Sequence, residues 1–408
     1  MNSRRRRAWL PANLCPRGNS QRLARLPRQG PRRRFRRIHH SHRPRHTADK
    51  DRLKRKKAYG RCATRSARVR IHSAHIIVTL LSGRCFPTTP RPAVWTDGYY
   101  TATSTGDDVI QKHVCIADRA KMLAGQPATE QCITIDGVNF LNNADIDGQK
   151  LPPRGTPNIM MAAGGTQLKG VFNDDGIYFW KVHVDWKNPA NTRATGPTKI
   201  QVTPYQYLCN GQLMSCVPQP DTERRLDVQG DKIMTRLVYR RLRGHESIVA
   251  AHSVTTNEGG GGRWYEFRLD KKGDPVLYQQ GTYAPEGNYR WMPSIATDKK
   301  GDIGVGYSFG GPPNFPGQHF AARQAGDPKG QLTLRETVLA EGEASQKNTL
   351  RWEDYATTAM DPSDDCTFWY VGDYLKESDT GYRTKLGSFR LPSCEGGRSQ
   401  ARPSANAD

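Results

Sequence analysis

Asp97 in VWTDG, Glu246 in RGHES and Asp354 in RWEDY occupy one position of a recurring motif, and a further copy carries Pro293 there. Three positions upstream stand Arg243, Arg290 and Arg351, and two positions upstream stand Trp95, Trp291 and Trp352. Carboxylates, guanidinium forks and indole faces gathered at one place suit acidic or hydroxylated sugars. Arginine pairs bidentately with a carboxylate, tryptophan stacks on a pyranose face, and two carboxylates supply acid and base or nucleophile. Asp97, Glu246 and Asp354 are therefore the candidate catalytic groups, and the three arginines and three tryptophans the candidate ligand-binding groups. Repeated motifs also build repeats, with the indole packed between neighbours and the carboxylate capping a backbone or an arginine. That reading competes with a ligand-facing ring.

Other constellations are weaker. His245-Glu246 with His252 has the spacing HEx5H in an expected strand, not the helical HExxH of zinc proteases. No metal site and no cofactor is assigned; Asp361, Asp364, Asp365 and Asp373 form an acidic turn in which calcium is a weak alternative to a solvated β-turn. The run Gly259 to Gly262 precedes neither Lys-Ser/Thr nor a helix, so it reads as a flexible hairpin and not a phosphate loop. Tyr265 and Glu266 are adjacent in an expected strand and face opposite sides, which argues against a joint nucleophile. The chain has no G-x-S-x-G and no SxDxGxTW box.

The elements that must position these groups are strands. From about Ala93 the chain alternates short β-branched or alternating runs (IYFWKVHV, TRLVYRR, SIVAAHSV, RWYEFRLD, PVLYQQGTY, DIGVGYSF, CTFWYVGDY) with Gly, Pro, Asn and Asp clusters. One helix is expected, around Ile116 to Leu123. Residues 290–308 and 351–370 share Arg-Trp, a small-residue strand, a D-x-x-x-D turn and a second strand ending in Tyr. Segments from Val94 and Arg243 fit the register more loosely, and GTPNIMMAAGG from Gly155 has the strand without the motif. Modules of four strands recurring at roughly 45–60 residues with local antiparallel pairing describe a β-propeller. The expected fold is thus all-β, with about five modules of four-stranded antiparallel blades. Each motif is expected to open the innermost strand of its blade, so that the candidate groups ring one mouth of a central channel. The last module shows three strands before Cys394, and the run His75 to Leu81 (HIIVTLL) is the expected fourth. Without it, the ring is expected to be incomplete, with part of the domain missing upstream.

Charge divides the chain sharply. The 408 residues carry a formal charge of +23, yet residues 1–85 hold 26 basic and two acidic residues, leaving 36 basic and 37 acidic in the rest. A basic, groove-binding fold is thereby excluded for the body at −1. Residues 1–60 lack an apolar period; 1–85 is expected to be a disordered Arg-rich tail, and 395–408 a disordered C-terminal tail, around a propeller domain at 86–394. Nonspecific phosphate binding, organelle targeting and a misplaced start codon are the three readings of the first tail, the last favoured by its Arg, Pro and His bias. No apolar run reaches the ~20 residues of a membrane span; HIIVTLL is at best a degraded signal sequence, and more simply a buried strand. Six body cysteines fall into close pairs, Cys115 with Cys132, Cys209 with Cys216 and Cys366 with Cys394. Short loops close at the lowest entropic cost, so local disulfides in an oxidising compartment are expected, with buried free thiols the alternative.

The segments WTDGYY, ADRAKMLAGQPA, FWKVHVDWKNPAN, GHESIVAAHSV, YQQGTYAPEGNYRWMPSIATDK and RWEDYATTAMDPSDDCTFWY, ending in GSFRLPSC, resemble a family of secreted bacterial β-propeller proteins, abundant in Acidobacteria and without an assigned function. The resemblance covers about residues 90–394 and implies export, disulfides and the sialidase-like propeller superfamily. It carries over no catalytic residue, and members have an ordinary signal peptide and further modules where this chain has its basic tail. The expected function is binding of an extracellular carbohydrate or protein ligand at one channel mouth by a secreted monomer. A sialidase-like glycoside hydrolase using two of Asp97, Glu246 and Asp354 is the first alternative, and nucleic-acid binding through the tail the second.

Overall fold

The computed structural model describes residues 87–105, 111–138, 140–167, 172–211, 215–353, 355–377 and 381–394. All of them belong to one compact unit spanning Gly60–Asp408. The two tails, His75 to Leu81 and Asp354 lie outside the described residues.

Among the described residues nineteen strands form five antiparallel meanders and two more a separate hairpin. The first blade is β1 (Pro87–Val94), β2 (Gly98–Thr105), β3 (Gln111–Asp118) and β4 (Glu130–Ile135). The second is β5 (Asn142–Asp147), β6 (Asn158–Ala163), β7 (Ile177–His183) and β8 (Arg193–Ile200). A hairpin of β9 (Ser215–Gln219) and β10 (Thr222–Asp227) precedes the third blade, β11 (Leu237–Arg241), β12 (Glu246–Thr255), β13 (Gly260–Leu269) and β14 (Pro275–Tyr283). The fourth is β15 (Tyr289–Thr297), β16 (Ile303–Gly311), β17 (Asn314–Arg323) and β18 (Leu334–Ala340). The fifth has three strands among the described residues, β19 (Thr357–Met360), β20 (Thr367–Tyr374) and β21 (Arg383–Arg390). The protein is an all-β propeller.

First strands of successive blades meet around the centre. β5 and β11 pair in parallel, Leu237 opposite Ala144 through Arg240 opposite Asp147. Arg91 on β1 reaches Asn142 at 3.4 Å and the Val94 amide donates to Asp145 at 2.7 Å, so β1 runs alongside β5 in the same direction. The Thr358 amide on β19 donates to Ser294 Oγ on β15 at 2.7 Å. Faces of adjacent blades then pack closely, and glycine sets how closely. β16 is buried along its whole length; a Cβ on Gly306 would lie 2.4 Å from the Tyr370 ring and one on Gly304 2.9 Å from that of Phe368, both on β20. Gly304 and Gly306 are thus sockets for the aromatic face of the fifth blade.

Two sequence expectations need correction. The motif register does not mark one strand. Arg290-Trp291 opens β15 and Arg351-Trp352 precedes β19, but VWTDG closes β1, RGHES spans the turn into β12, and GTPNIMMAAGG holds β6, a second strand. The helix is a single turn, α1 (Arg119–Leu123), because Ile116 and Ala117 are buried residues of β3; Asp118 caps it, accepting from the Lys121 amide at 3.1 Å. Of the glycine run, Gly260 to Gly262 belong to β13, where a Cβ on Gly260 would strike Leu208 at 2.9 Å. The three expected disulfides form: Cys115–Cys132 across β3 and β4, Cys209–Cys216 at the foot of β9, and Cys366–Cys394 closing β20 and β21. No helix among the described residues is long and apolar enough to cross a membrane.

Candidate functional site

The motif residues divide between opposite ends of the strands instead of ringing one mouth. Inner strands of blades one to four run in one direction, since β1 follows β5, β5 parallels β11, and β15 parallels β13, itself parallel to β11. Trp95 and Asp97 lie past the C-terminal end of β1, and Arg243 and Glu246 past that of β11; Arg290 and Trp291 lie at the N-terminal end of β15.

Most of these side chains are engaged inside the protein. Trp95 is fully buried, donates to the Thr156 carbonyl at 3.0 Å and meets the Tyr239 ring edge-on. Asp97 accepts from the Tyr100 hydroxyl at 3.1 Å, and burial raises its pKa. Glu246 accepts from the Tyr239 hydroxyl, while Arg243 is exposed in the turn. Arg290 has no exposed surface; it forks onto Glu336 at 2.8 and 2.7 Å and also holds Glu286, and these bonds outweigh desolvation so that it stays charged. Trp291 packs beside Trp352, their rings 6.3 Å apart. His252 is buried and bonded to the Tyr265 hydroxyl at 2.9 Å, and desolvation lowers its pKa to about 3, so it stays neutral. In the acidic turn Asp361 accepts from Ser363 and Trp369, Asp364 caps the amides of Cys366 and Thr367, and Asp365 pairs with Arg240. Asp361 and Asp364 are thus used within the fifth blade, and Asp365 ties the turn to the third blade.

Chemistry-bearing groups do converge on a depression of about 450 Å³ beside the fifth blade, lined by Arg351, Trp352, Glu353, Tyr355, Asp373 and Tyr382 among others. The segment between β18 and β19 is positioned by the β9–β10 hairpin: Gln219 and Gln346 exchange hydrogen bonds at 2.7 and 3.1 Å, and the Asp227 amide donates to the Leu350 carbonyl at 2.9 Å. Arg351 is thereby brought to Asp227 at 3.1 Å. Glu353 follows in the left-handed region with φ of 36°, which turns its side chain inward under the depression. Sequence reasoning missed it, because the motif register put the carboxylate at Asp354.

Glu353 is 8% exposed and its carboxylate is fully bonded. One oxygen accepts from the Asp373 amide at 2.7 Å; the other accepts from Gln318 at 3.0 Å and from the Ser308 hydroxyl. Ser308 in turn accepts from the Trp352 indole at 3.0 Å, and Gln318 also donates to the Asp373 carbonyl at 2.7 Å. Gly372 makes this approach possible, since a Cβ there would sit 2.2 Å from Gln318 Oε1 and 2.5 Å from Glu353 Oε1. Burial pushes the Glu353 pKa up to about 8, the Ser308 bond opposing it and the Asp373 charge adding to it. Asp373, on the wall, is raised by burial and held by Thr384 at 3.0 Å. The result is a buried carboxyl with a raised pKa beneath a second carboxyl group, next to two exposed tyrosines, Tyr355 at 56% and Tyr382 at 61%.

Two clusters have metal-like composition among the described residues, Cys115/Glu130/Cys132 and Asp298/Cys366/Cys394, but in each the cysteines are joined as a disulfide and offer no thiolate.

No family model and no curated protein matches the chain. Among solved structures it is similar to an α-L-arabinofuranosidase from Lactobacillus brevis, at 14% identity over 74% of this chain and 89% of that one, TM-score 0.34. It is similar to the α-L-arabinofuranosidase Arb93A from Fusarium graminearum at 10% identity over 76% and 94%, TM-score 0.38. An α-L-arabinanase from Penicillium chrysogenum aligns at 8% identity over 74% and 93%, TM-score 0.35. Likenesses this distant leave the fold resting on the chain's own blades.

Proposed function

We propose that this protein binds a carbohydrate in the depression beside the fifth blade. The observation that carries the reading is the pairing of two exposed tyrosines with a hydrogen-bonding wall. Tyr355 and Tyr382 offer apolar faces for sugar rings, and Arg351, Asp373 and Thr384 offer donors and acceptors for hydroxyls. Export belongs to the same proposal: three disulfides suit an oxidising compartment, and a bacterial, sialidase-like membership would accompany it. Binding of neutral and acidic oligosaccharides, measured by calorimetry, tests it. Tyr355→Ala and Tyr382→Ala should each weaken binding roughly two- to tenfold, since aromatic contacts are worth about 0.5–1.5 kcal/mol; binding unchanged in both would overturn it.

One observation favours a second reading, glycoside hydrolysis. Burial raises the pKa of Glu353 to about 8 beside Asp373, and a proton held there would give the division of roles that acid and nucleophile or base require. In this reading the acid is Glu353 and its partner Asp373, in place of two among Asp97, Glu246 and Asp354. Release of reducing ends from a polysaccharide panel, abolished in Glu353→Gln with binding retained, is the expected result; release that survives the substitution removes Glu353 from the chemistry.

A further inference from the structure

The depression is one end of a longer surface. Trp369, Val371 and Asp373 alternate along β20, and Ser388, Leu386 and Thr384 stand opposite them on β21, so these six side chains share one face of the blade. The opposite face, with Phe368 and Tyr370, is buried against the fourth blade. Val371, Asp373 and Thr384 line the depression; Trp369 at 38% and Leu386 at 59% exposure continue the face beyond it. The one polar atom of the Trp369 indole is satisfied by Asp361 at 3.0 Å, which fixes the ring while leaving apolar surface in solvent. Asp373 to Trp369 spans four residues, roughly 13 Å of strand, about the reach of three linked sugar rings.

We infer that the ligand is an extended oligosaccharide of at least about three units, with Trp369 as a distal stacking platform on the same blade face as the depression. The inference rests on the carbohydrate reading above. An oligosaccharide fits this face better than a protein segment because the apolar surface of Trp369, Val371 and Leu386 is flanked by the hydroxyls and carboxylate of Ser388, Thr384 and Asp373, groups that match sugar edges. An isolated sugar in the depression would leave Trp369 unused.

The test uses the full chain and the one-, two- and four-unit members of the β-1,4-linked xylan and glucan series and of the α-1,4-linked polygalacturonate series, with calorimetry and sedimentation. The four-unit member of the bound series should bind at least about tenfold more tightly than the one-unit member, and Trp369→Ala should remove that gain while leaving one-unit affinity unchanged. Trp369→Phe, which keeps an aromatic ring, should restore most of it, and equal melting temperatures separate lost stacking from lost fold. Affinity independent of length, or four-unit binding indifferent to Trp369→Ala while still sensitive to Tyr382→Ala, overturns this inference alone. No binding by any member, or binding indifferent to both tyrosines, overturns the carbohydrate reading and this one with it. A dimer that dissociates in Trp369→Ala assigns the face to a second copy and also overturns the inference.

Discussion

Glu353 joins three strands through a single side chain, and its protonation should be visible in stability. A carboxyl whose pKa rises from the usual value to about 8 on folding binds its proton more tightly in the native state. Its contribution is therefore fully present below about pH 4.5 and lost as pH rises through about 8. Glu353→Gln mimics the protonated form at every pH. Wild type and variant should melt together near pH 4.5 to 5, and the variant should become the more stable by on the order of a few kcal/mol by pH 9. Melting temperatures across that range check it, and parallel curves would show that Glu353 is ionised throughout. Gly372 belongs to the same network. Gly372→Ala should cost roughly 1–3 kcal/mol, because the added methyl displaces Gln318 or Glu353 from a packed position; denaturant titration reads it. None of this was legible in the sequence. Glu353's partners Ser308 and Gln318 lie 45 and 35 positions away, and only the folded blades bring them together.

At the scale of elements the sequence was far more readable. RLVYRR, SIVAAHSV, RWYEFRLD and PVLYQQGTY became the four strands of the third blade in order, because these runs are rich in β-branched and aromatic residues and end at turn-forming residues; β11, β12 and β13 are buried on both faces. What misled was the assumption that Arg-Trp marks one strand. The same pairing of a large aromatic with a polar neighbour fills interblade space at Trp291 and Trp352, while Trp95 packs beyond the far end of β1. Cysteine spacing was informative because the bonded pairs are local, and the loops they close rank their value. Cys366–Cys394 closes 28 residues, Cys115–Cys132 17 and Cys209–Cys216 seven. The chain-entropy relation gives roughly 3.6, 3 and 2.4 kcal/mol in that order. The paired replacement Cys366→Ser with Cys394→Ser should accordingly lower stability most and raise hydrogen exchange in β20 and β21. Mass-resolved exchange and chemical denaturation of the three paired variants test the ranking, and an inverted order would show that native-state strain outweighs loop closure.

The molecule is held as a whole by charges that composition renders nearly invisible. Beyond the basic first 85 residues the body sums to −1, yet at its centre Arg236 binds Asp145 at 2.7 Å and also Asp147, both on β5, and reaches the Thr358 carbonyl on β19 at 3.4 Å. Asp145 also accepts the Val94 amide of β1, so one guanidinium, at the entry to β11, and one carboxylate tie together strands of the first, second and fifth blades. Burial raises the Asp145 pKa even beside Arg236, while the two carboxylates hold Arg236 firmly charged. Removing the cation leaves two buried carboxylates facing each other, and breaking such a pair costs about 3–5 kcal/mol. Arg236→Ala should therefore destabilise by that amount. Because the contact belongs to no single blade, all blades should unfold in one transition at lower denaturant concentration. Adding Asp145→Asn and Asp147→Asn to that variant should recover part of the loss, since the unpaired charges and not the missing contacts carry most of the penalty. Equilibrium unfolding followed by tryptophan fluorescence and far-ultraviolet dichroism tests both statements. Non-coincident transitions would show that the blades unfold separately, and no recovery in the triple variant would place the penalty in lost packing instead of unpaired charge.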